Sequence, residues 1–347
     1  MSTHGNDRSR ATARVATAVG LGLGFVLDRI LGDPARCHPV AGLGQYARAL
    51  ETVLYRDRRV SGVVHHGAVV VPLAAVAALA QGAARSPASR ALLTAAATWT
   101  VVGGRSLVRE GEIIAAQLER GNLAAAREQV THLVGRDPRH LDADGVSRAA
   151  VESLAENTSD AVVAPLLWGA TLGIPGLVGY RAVNTLDAMV GHRSPRYRRF
   201  GWASARVDDV ANLMPSRVAA ALAVALAPAV GGDRADALRV WKRDAFRHPS
   251  PNAGPIEAAF AGALGVTLGG VNHYAARVEH RAELGDGPAP TVAELPRAAR
   301  LATLVAWAAG GVSVVVAIVL AFVPTPRRRR RRRRPSLPPV AESAARR

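Results

Sequence analysis

The chain has 347 residues, a formal net charge of +17, 49% hydrophobic residues and a mean hydropathy of +0.10. So large an apolar share excludes a mainly disordered protein, and an aromatic content of 4% argues against a β-rich barrel or sandwich. The single Cys37 excludes an intramolecular disulfide and a cysteine-rich zinc site.

Residues 1–14 form a polar N-terminal tail. The stretch 15–31 is apolar up to Asp28 and Arg29 and has no small-residue cleavage site, so it reads as a retained membrane segment, not a signal peptide. Stretches 63–80 and 91–104 are predicted to form a membrane hairpin. Stretch 161–180 is broken by Pro165, Pro175 and several glycines, and 218–230 is short. Both are expected to be re-entrant or protein-buried helices that do not cross, because irregular backbone is tolerated in a membrane only where protein covers it. Residues 301–323 carry no charge and are long enough to span a hydrocarbon core.

Arginines 327–334 follow at once. The segment 324–347 holds +9 of the net charge, leaving +8 for the rest. Beside a membrane helix such a run reads as a cytoplasmic anchor that contacts anionic lipid. It has no interleaved aromatics for base stacking, so no nucleic-acid partner is expected. The predicted architecture is an all-α, polytopic integral protein of the inner membrane. A single helical domain, 15–323, carries its active site in helical polar regions, and a disordered Arg/Pro tail follows.

Four polar stretches carry the chemistry. In LGDPARCHPV, Asp33 and His38 are candidate site residues. Cys37 is a poor nucleophile candidate, since adjacent residues in extended chain point opposite ways. In 135–160, Glu152, Glu156 and Asp160 recur every four residues and fall on one helical face. Such carboxylates repel unless a cation sits between them. In 180–215, Arg181, Asn184 and Asp187 share a face, and Arg206, Asp208, Asp209 and Asn212 cluster. Asp with Asn is an oxygen set suited to magnesium, and arginine suits phosphate. In 243–274, Arg247, His248, Ser250 and Asn252 form a polar turn ahead of a helix with Glu257 in its first turn. The glycines of GALGVTLGG serve either close helix packing or a close approach of backbone to a ligand. Neither a P-loop nor a dinucleotide fingerprint is present.

The strings LGDPARCHPV, GRDPRHLD, RAAVESLAENTSDAVVAPL, YRAVNTLDAMVGHRSPRYRRFGWASARVDDVANLMPSR and HPSPNAGPIEAAFAGALGVTLGG are similar to the CobD/CbiB family of cobalamin biosynthesis proteins. The resemblance runs from about Leu27 to about Ala302. It implies an adenosylcobinamide-phosphate synthase, an ATP-dependent carbon–nitrogen ligase. Such an enzyme joins the free propionate of adenosylcobyric acid to (R)-1-amino-2-propanol phosphate or a related amino alcohol phosphate. The corrinoid is then a substrate, and ATP and Mg2+ are the implied cofactors. Contact with other enzymes of the pathway is also expected.

Amide formation from carboxylate and ammonium needs activation, phosphate clamps and a base. His38, Glu152, Glu156, Asp209 and His248 are therefore the candidate catalytic groups. Asp160 and Asp208 are the candidate metal ligands. Asp33, Asn157, Arg181, Asn184, Asp187, Arg206, Asn212, Arg247, Ser250 and Asn252 are the candidate substrate-binding groups. The rival expectation is a non-catalytic corrinoid-binding or transport protein.

Overall fold

The structure, a computed structural model, describes residues 3–33, 38–192, 194–274 and 277–323. Cys37 and the arginine tail lie outside the described residues.

Helix α1 (Thr3–Leu31) starts well before residue 15, so much of the polar stretch 1–14 is helical. Helices α2 (Pro39–Leu54), α3 (Arg59–Ala83) and α4 (Pro87–Val101) follow. The expected hairpin is the α3–α4 pair. Its sharp turn is set by Ser86, whose hydroxyl accepts from the Ser89 N–H while the Ser89 hydroxyl accepts from the Ser86 N–H. Next come α5 (Gly104–Glu119), α6 (Leu123–Val130) and α7 (Ala143–Thr158). Asp142 caps α7 by accepting from the Gly145 N–H at 2.8 Å.

A π-helical segment, Ser159–Val163, joins α7 to α8 (Ala164–Leu172) without a break. Gly173, at φ +73°, turns the chain into α9 (Ile174–Leu186), and Gln81 accepts from the Ile174 N–H at 2.8 Å. A second π-helical segment, Asp187–Gly191, ends α9. The chain continues through α10 (Trp202–Leu226), α11 (Arg234–Asp244) and α12 (Ala253–Leu264) to a hairpin of β1 (Leu268–Tyr274) and β2 (Arg277–Leu284), and ends in α13 (Glu294–Phe322). The antiparallel hairpin departs from the purely helical expectation. Gly269 and Gly270, both at positive φ, open β1 with a bulge, while Gly262 of the same stretch lets α12 pack closely on α11 at Ala237 and Val240.

Helices α1, α3, α4, α8, α9 and α13 form a bundle. α1 packs on α4 through Gly20 and Gly24, where any Cβ would collide with the α4 backbone at Ala91 and Ala95. This four-residue spacing of small residues lets membrane helices approach closely. The outside of the bundle presents Val19, Leu23, Val71, Leu79, Val315 and Val319 to the surroundings. An exposed apolar belt of this kind suits lipid, not water.

Among the described residues four helical stretches are long and apolar enough to cross a membrane: Arg59–Ala83, Pro87–Glu119, Trp202–Val230 and Glu294–Phe322. The protein is an all-α polytopic membrane protein with one small hairpin.

The bundle has two distinct ends. Arg14, Gln81, Arg90, Gly173 and Ala317 line one cavity and mark the first. The second lies where Trp99 donates to the Gly32 carbonyl at 2.9 Å and Arg181 reaches the Val101 carbonyl. Both α3 and α13 run toward the first end. Trp202, at the start of α10, lies under Arg59 at the start of α3, 5.2 Å from guanidinium carbon to ring centre. At the far end of the same stretch, the Val230 carbonyl accepts from Arg297 at the start of α13, at 3.1 Å. The stretch Trp202–Val230 therefore begins and finishes at the second end, and its length alone does not make it a crossing. This agrees with the expectation that 218–230 does not span.

Candidate active site

The two π-helical segments face each other at the second end of the bundle. A π turn inserts one extra residue into a helix and re-aims the side chains around it, which is why such turns gather at functional sites. The first places Asp160 and the second Asp187. Together with Glu156, Asp208, Asp209, Ser250 and Asn252 they line a cavity of about 70 Å³.

Among the described residues no arginine, lysine or histidine is in that lining. The carboxylates are instead held by neutral donors. Asn212 donates to Asp208 Oδ2 at 3.0 Å and accepts from the Tyr180 hydroxyl at 2.8 Å. Asn184 donates to Asp160 Oδ2 at 3.4 Å and accepts from Arg181 at 3.3 Å. Arg181 also reaches the Val101 and Ala161 carbonyls, so it braces the cavity from behind. Asn252 donates to the Asp209 carbonyl at 2.8 Å, tying the α12 start to α10. Asp208 is 8% exposed, and its Oδ1 has no hydrogen-bond partner among the described residues; neither has Asn252 Oδ1.

Electrostatics follow from this crowding. Burial raises the pKa of Asp187 to about 7, helped by Asp208, Asp209 and Glu156. Burial also holds Asp160 well above the usual carboxylate range, with Asp208, Glu156 and Asp187 adding to it. Burial raises Glu156 against the pull of Arg281.

The donor set fits Mg2+. Its carboxylates, Ser250 and Asn252 all offer oxygen, and Asp208 Oδ1 is buried with no hydrogen-bond partner among the described residues. Among the described residues no group of three His, Cys, Asp or Glu side chains is placed to hold a metal ion by itself. Magnesium is commonly held by one or two carboxylates, with phosphate oxygens and water as its other ligands. Asp160 and Asp208 suit that role.

A second cavity, about 130 Å³, adjoins the first and shares Glu156 as a wall. Arg136, Glu152, Ser153, Glu257 and Arg281 complete its polar lining. Glu152 is fully engaged there. Arg136 pairs closely with its Oε2, the Gly269 N–H donates to its Oε1 at 2.8 Å, and Arg148 lies 4.0 Å away. The strand-opening glycines thus bring a backbone donor to Glu152. His248 accepts from the Ser250 N–H through Nδ1 at 3.0 Å, and its Nε2 lies 3.8 Å from Glu257. Burial, with Arg281 nearby, lowers the His248 pKa, so the imidazole is neutral at pH 7.

The remaining candidates lie outside both cavities. His38 caps α2, accepting from the Val40 N–H at 3.1 Å, and sits 3.8 Å from Asp33. Asn157 donates within its own helix to Ser153. Arg206 is exposed, 3.8 Å from Asp209. Arg247 pairs with Asp244 at 3.2 Å in a separate network. Arg136, Tyr180, Glu257 and Arg281 belong to the site without being among the residues the sequence singles out. Glu257 carried a usable signal, since it is the one charged residue in AGPIEAAFAGAL, every residue of which is buried.

Fold and site together define a polytopic helical membrane protein with an oxygen-lined acidic cavity at one end of its bundle. Residues 21–302 match the family model described as CobD/Cbib protein. The chain is 52% identical over 290 residues to the cobalamin biosynthesis protein CobD of Mycobacterium tuberculosis (strain ATCC 25618 / H37Rv), covering 83% of this chain and 92% of that one. It is 41% identical over 313 residues to the protein of that name from Chromobacterium violaceum, covering 88% and 98%. It is 43% identical over 289 residues to that of Rhodobacter capsulatus, covering 82% and 89%. No solved structure matches. The chain belongs to the CobD/CbiB family, which places it in cobalamin biosynthesis.

Proposed function

We propose that this protein is an adenosylcobinamide-phosphate synthase. It forms the amide between the free propionate of adenosylcobyric acid and an amino alcohol phosphate. The observation that carries the reading is the oxygen-lined cavity with the unpartnered Asp208 Oδ1, which calls for a divalent cation and its phosphate.

Bound Mg2+ and ATP would supply activation of the propionate as an acyl phosphate. Asp160 and Asp208 hold the cation in this reading. Asn184 and Asn212 fix those two carboxylates, and Tyr180 and Arg181 fix the asparagines in turn. Ser250 and Asn252 present polar atoms to the same cavity from the α12 side. His248, neutral and buried beside Glu257, holds or passes a proton in this reading and does not carry charge.

The test is the purified protein with adenosylcobyric acid, aminopropanol phosphate and Mg-ATP. A corrinoid product of the amide mass, formed with ADP release, supports the ligase. Corrinoid binding without turnover overturns it in favour of a non-catalytic corrinoid-binding protein.

The protein resides in the cell membrane in this reading. ATP is cytoplasmic, so the cavity end faces the cytoplasm. Arg58 and Arg59 before α3, and Arg196, Arg198 and Arg199 before α10, supply the positive flank expected there. α13 ends at the opposite end, so a cytoplasmic cavity and a cytoplasmic arginine tail exclude one another.

A further inference from the structure

We propose that Glu257, with Glu156, forms the subsite that takes the ammonium group of the amine substrate, inside the cavity walled by Arg136, Glu152 and Arg281. The inference rests on the ligase reading and names the part of the site that receives its second substrate.

Glu257 is 1% exposed, and neither carboxylate oxygen has a hydrogen-bond partner among the described residues. A buried carboxylate costs free energy unless it is paired, so a lone one in a wholly buried helix has no value to the fold. His248 Nε2 is 3.8 Å away and beyond a hydrogen bond. Its ring is held by the Ser250 N–H on the far nitrogen.

The charges of the lining decide what fits. Fully ionised, three glutamates face two arginines, one negative charge in excess. Both guanidinium groups are already engaged, Arg136 with Glu152 and Arg281 with Glu279 at 3.4 Å. Glu257 is the lining carboxylate with no hydrogen-bond donor among the described residues, and a monovalent cation with several N–H donors complements it. A primary ammonium has three such donors.

Position supports the assignment. Glu156 walls both cavities, so an ammonium against Glu156 and Glu257 stands directly beside the oxygen-lined cavity. A short molecule with an amine at one end and a phosphate at the other reaches from one to the other. Burial, with Glu152 and Glu156 nearby, holds the Glu257 pKa well above the usual carboxylate range, and an arriving cation favours its ionised form.

The test uses the full chain in detergent or nanodiscs. Glu257→Gln is expected to raise KM for aminopropanol phosphate about tenfold to a hundredfold, the loss of one charged hydrogen bond. KM for adenosylcobyric acid and for ATP should hold, and Glu257→Asp should recover part of the loss. An unchanged amine KM, or an equal rise for all three substrates, overturns the proposal. A second measurement needs no turnover. A hydrophobic carbodiimide should label Glu257 in the wild-type protein, read by peptide mass spectrometry. Aminopropanol phosphate should protect it, while isopropyl phosphate, which lacks the amine, should not. Equal protection by both phosphates overturns the subsite. A wild-type protein that shows amine-specific protection without turnover sinks the ligase reading and leaves the ammonium subsite standing.

Discussion

Two aspartates at the same end of the molecule, the buried Asp244 and the half-buried Asp187, are treated in opposite ways. Asp244, fully buried at the end of α11, accepts from Arg243 at 2.8 and 2.7 Å, from Arg247 at 3.2 Å and from the Gly285 N–H at 2.9 Å. Its pKa falls to about 2, mainly through Arg243. Asp187 lines a cavity of carboxylates with no cation among the described lining residues, and its pKa rises to about 7. The first network ties the loop after β2 to α11 and is complete within the chain. The second is incomplete within the chain, and that incompleteness marks it as a place for a ligand.

The largest expected effect breaks the incomplete region. Asp208→Asn keeps the shape and the Asn212 contact but removes a charge next to the unpartnered oxygen. Turnover should fall by about a hundredfold or more, the scale of a lost metal ligand. Thermal stability should hold or rise, because like-charge repulsion is relieved. Full activity in this variant would remove Asp208 from the metal role. Asp244→Ala is the converse. It removes the acceptor of the Gly285 N–H and a shared partner of Arg243 and Arg247, although Arg243 keeps Asp286 at 2.7 Å, and should cost about 2 kcal/mol of stability. Turnover per folded molecule should not change. Thermal unfolding in detergent beside single-turnover rates separates the two outcomes, and an Asp244 variant that loses activity while still folded would erase the contrast.

A smaller effect sharpens the comparison through pH. Asp187 has a folded pKa raised above its unfolded value, so its stabilising contribution is complete below about pH 4 and is lost as pH climbs through about 7. Asp244, with a depressed folded pKa, contributes above about pH 4 and loses that contribution as pH falls toward about 2. Without Mg2+, Tm should therefore decline from about pH 5 to about pH 8. Added Mg2+ should restore it at the higher pH and do little at the lower, since the ion binds the ionised carboxylates. A Tm that Mg2+ raises equally at both pH values would show that it acts elsewhere.

Legibility in the sequence follows the range of the interactions involved. The α3–α4 hairpin and the apolar part of α13 are local composition and were readable as such. Glu156, Asp160, Asp187, Asp208 and Asn252 were readable as clusters of residue type, and the fold brings them into one cavity. The π-helical segments were not readable, because one inserted residue in a helix leaves no periodic trace over so short a span. Glu152 looked equivalent to Glu156 on spacing alone. What separates them is Arg136 and the Gly269 N–H, which arrive from distant parts of the chain. Glu257 reads as a helix-start residue, since only the packing of α12 reveals that no hydrogen-bond partner among the described residues meets it.

The smallest effect on chemistry is expected from the most conspicuous feature of the composition. Removing residues 325–347 deletes most of the positive excess, yet α13 ends at Phe322, at the end of the bundle away from both cavities. Turnover should be unchanged. What the tail can alter is orientation, because short basic segments beside a span bias which end stays in the cytoplasm. Two sets of arginines compete for that role: the tail at one end, and those flanking α3 and α10 at the other. Single cysteines in a Cys37→Ser background decide between them. His140→Cys, Pro195→Cys and Ser250→Cys report the cavity end, and Arg85→Cys, in the turn between α3 and α4, reports the other. The ligase reading requires the first three to be shielded from an impermeant reagent in intact cells while Arg85→Cys is labelled. The reverse pattern would put the acidic cavity outside the reach of ATP and remove the energetic basis for amide formation.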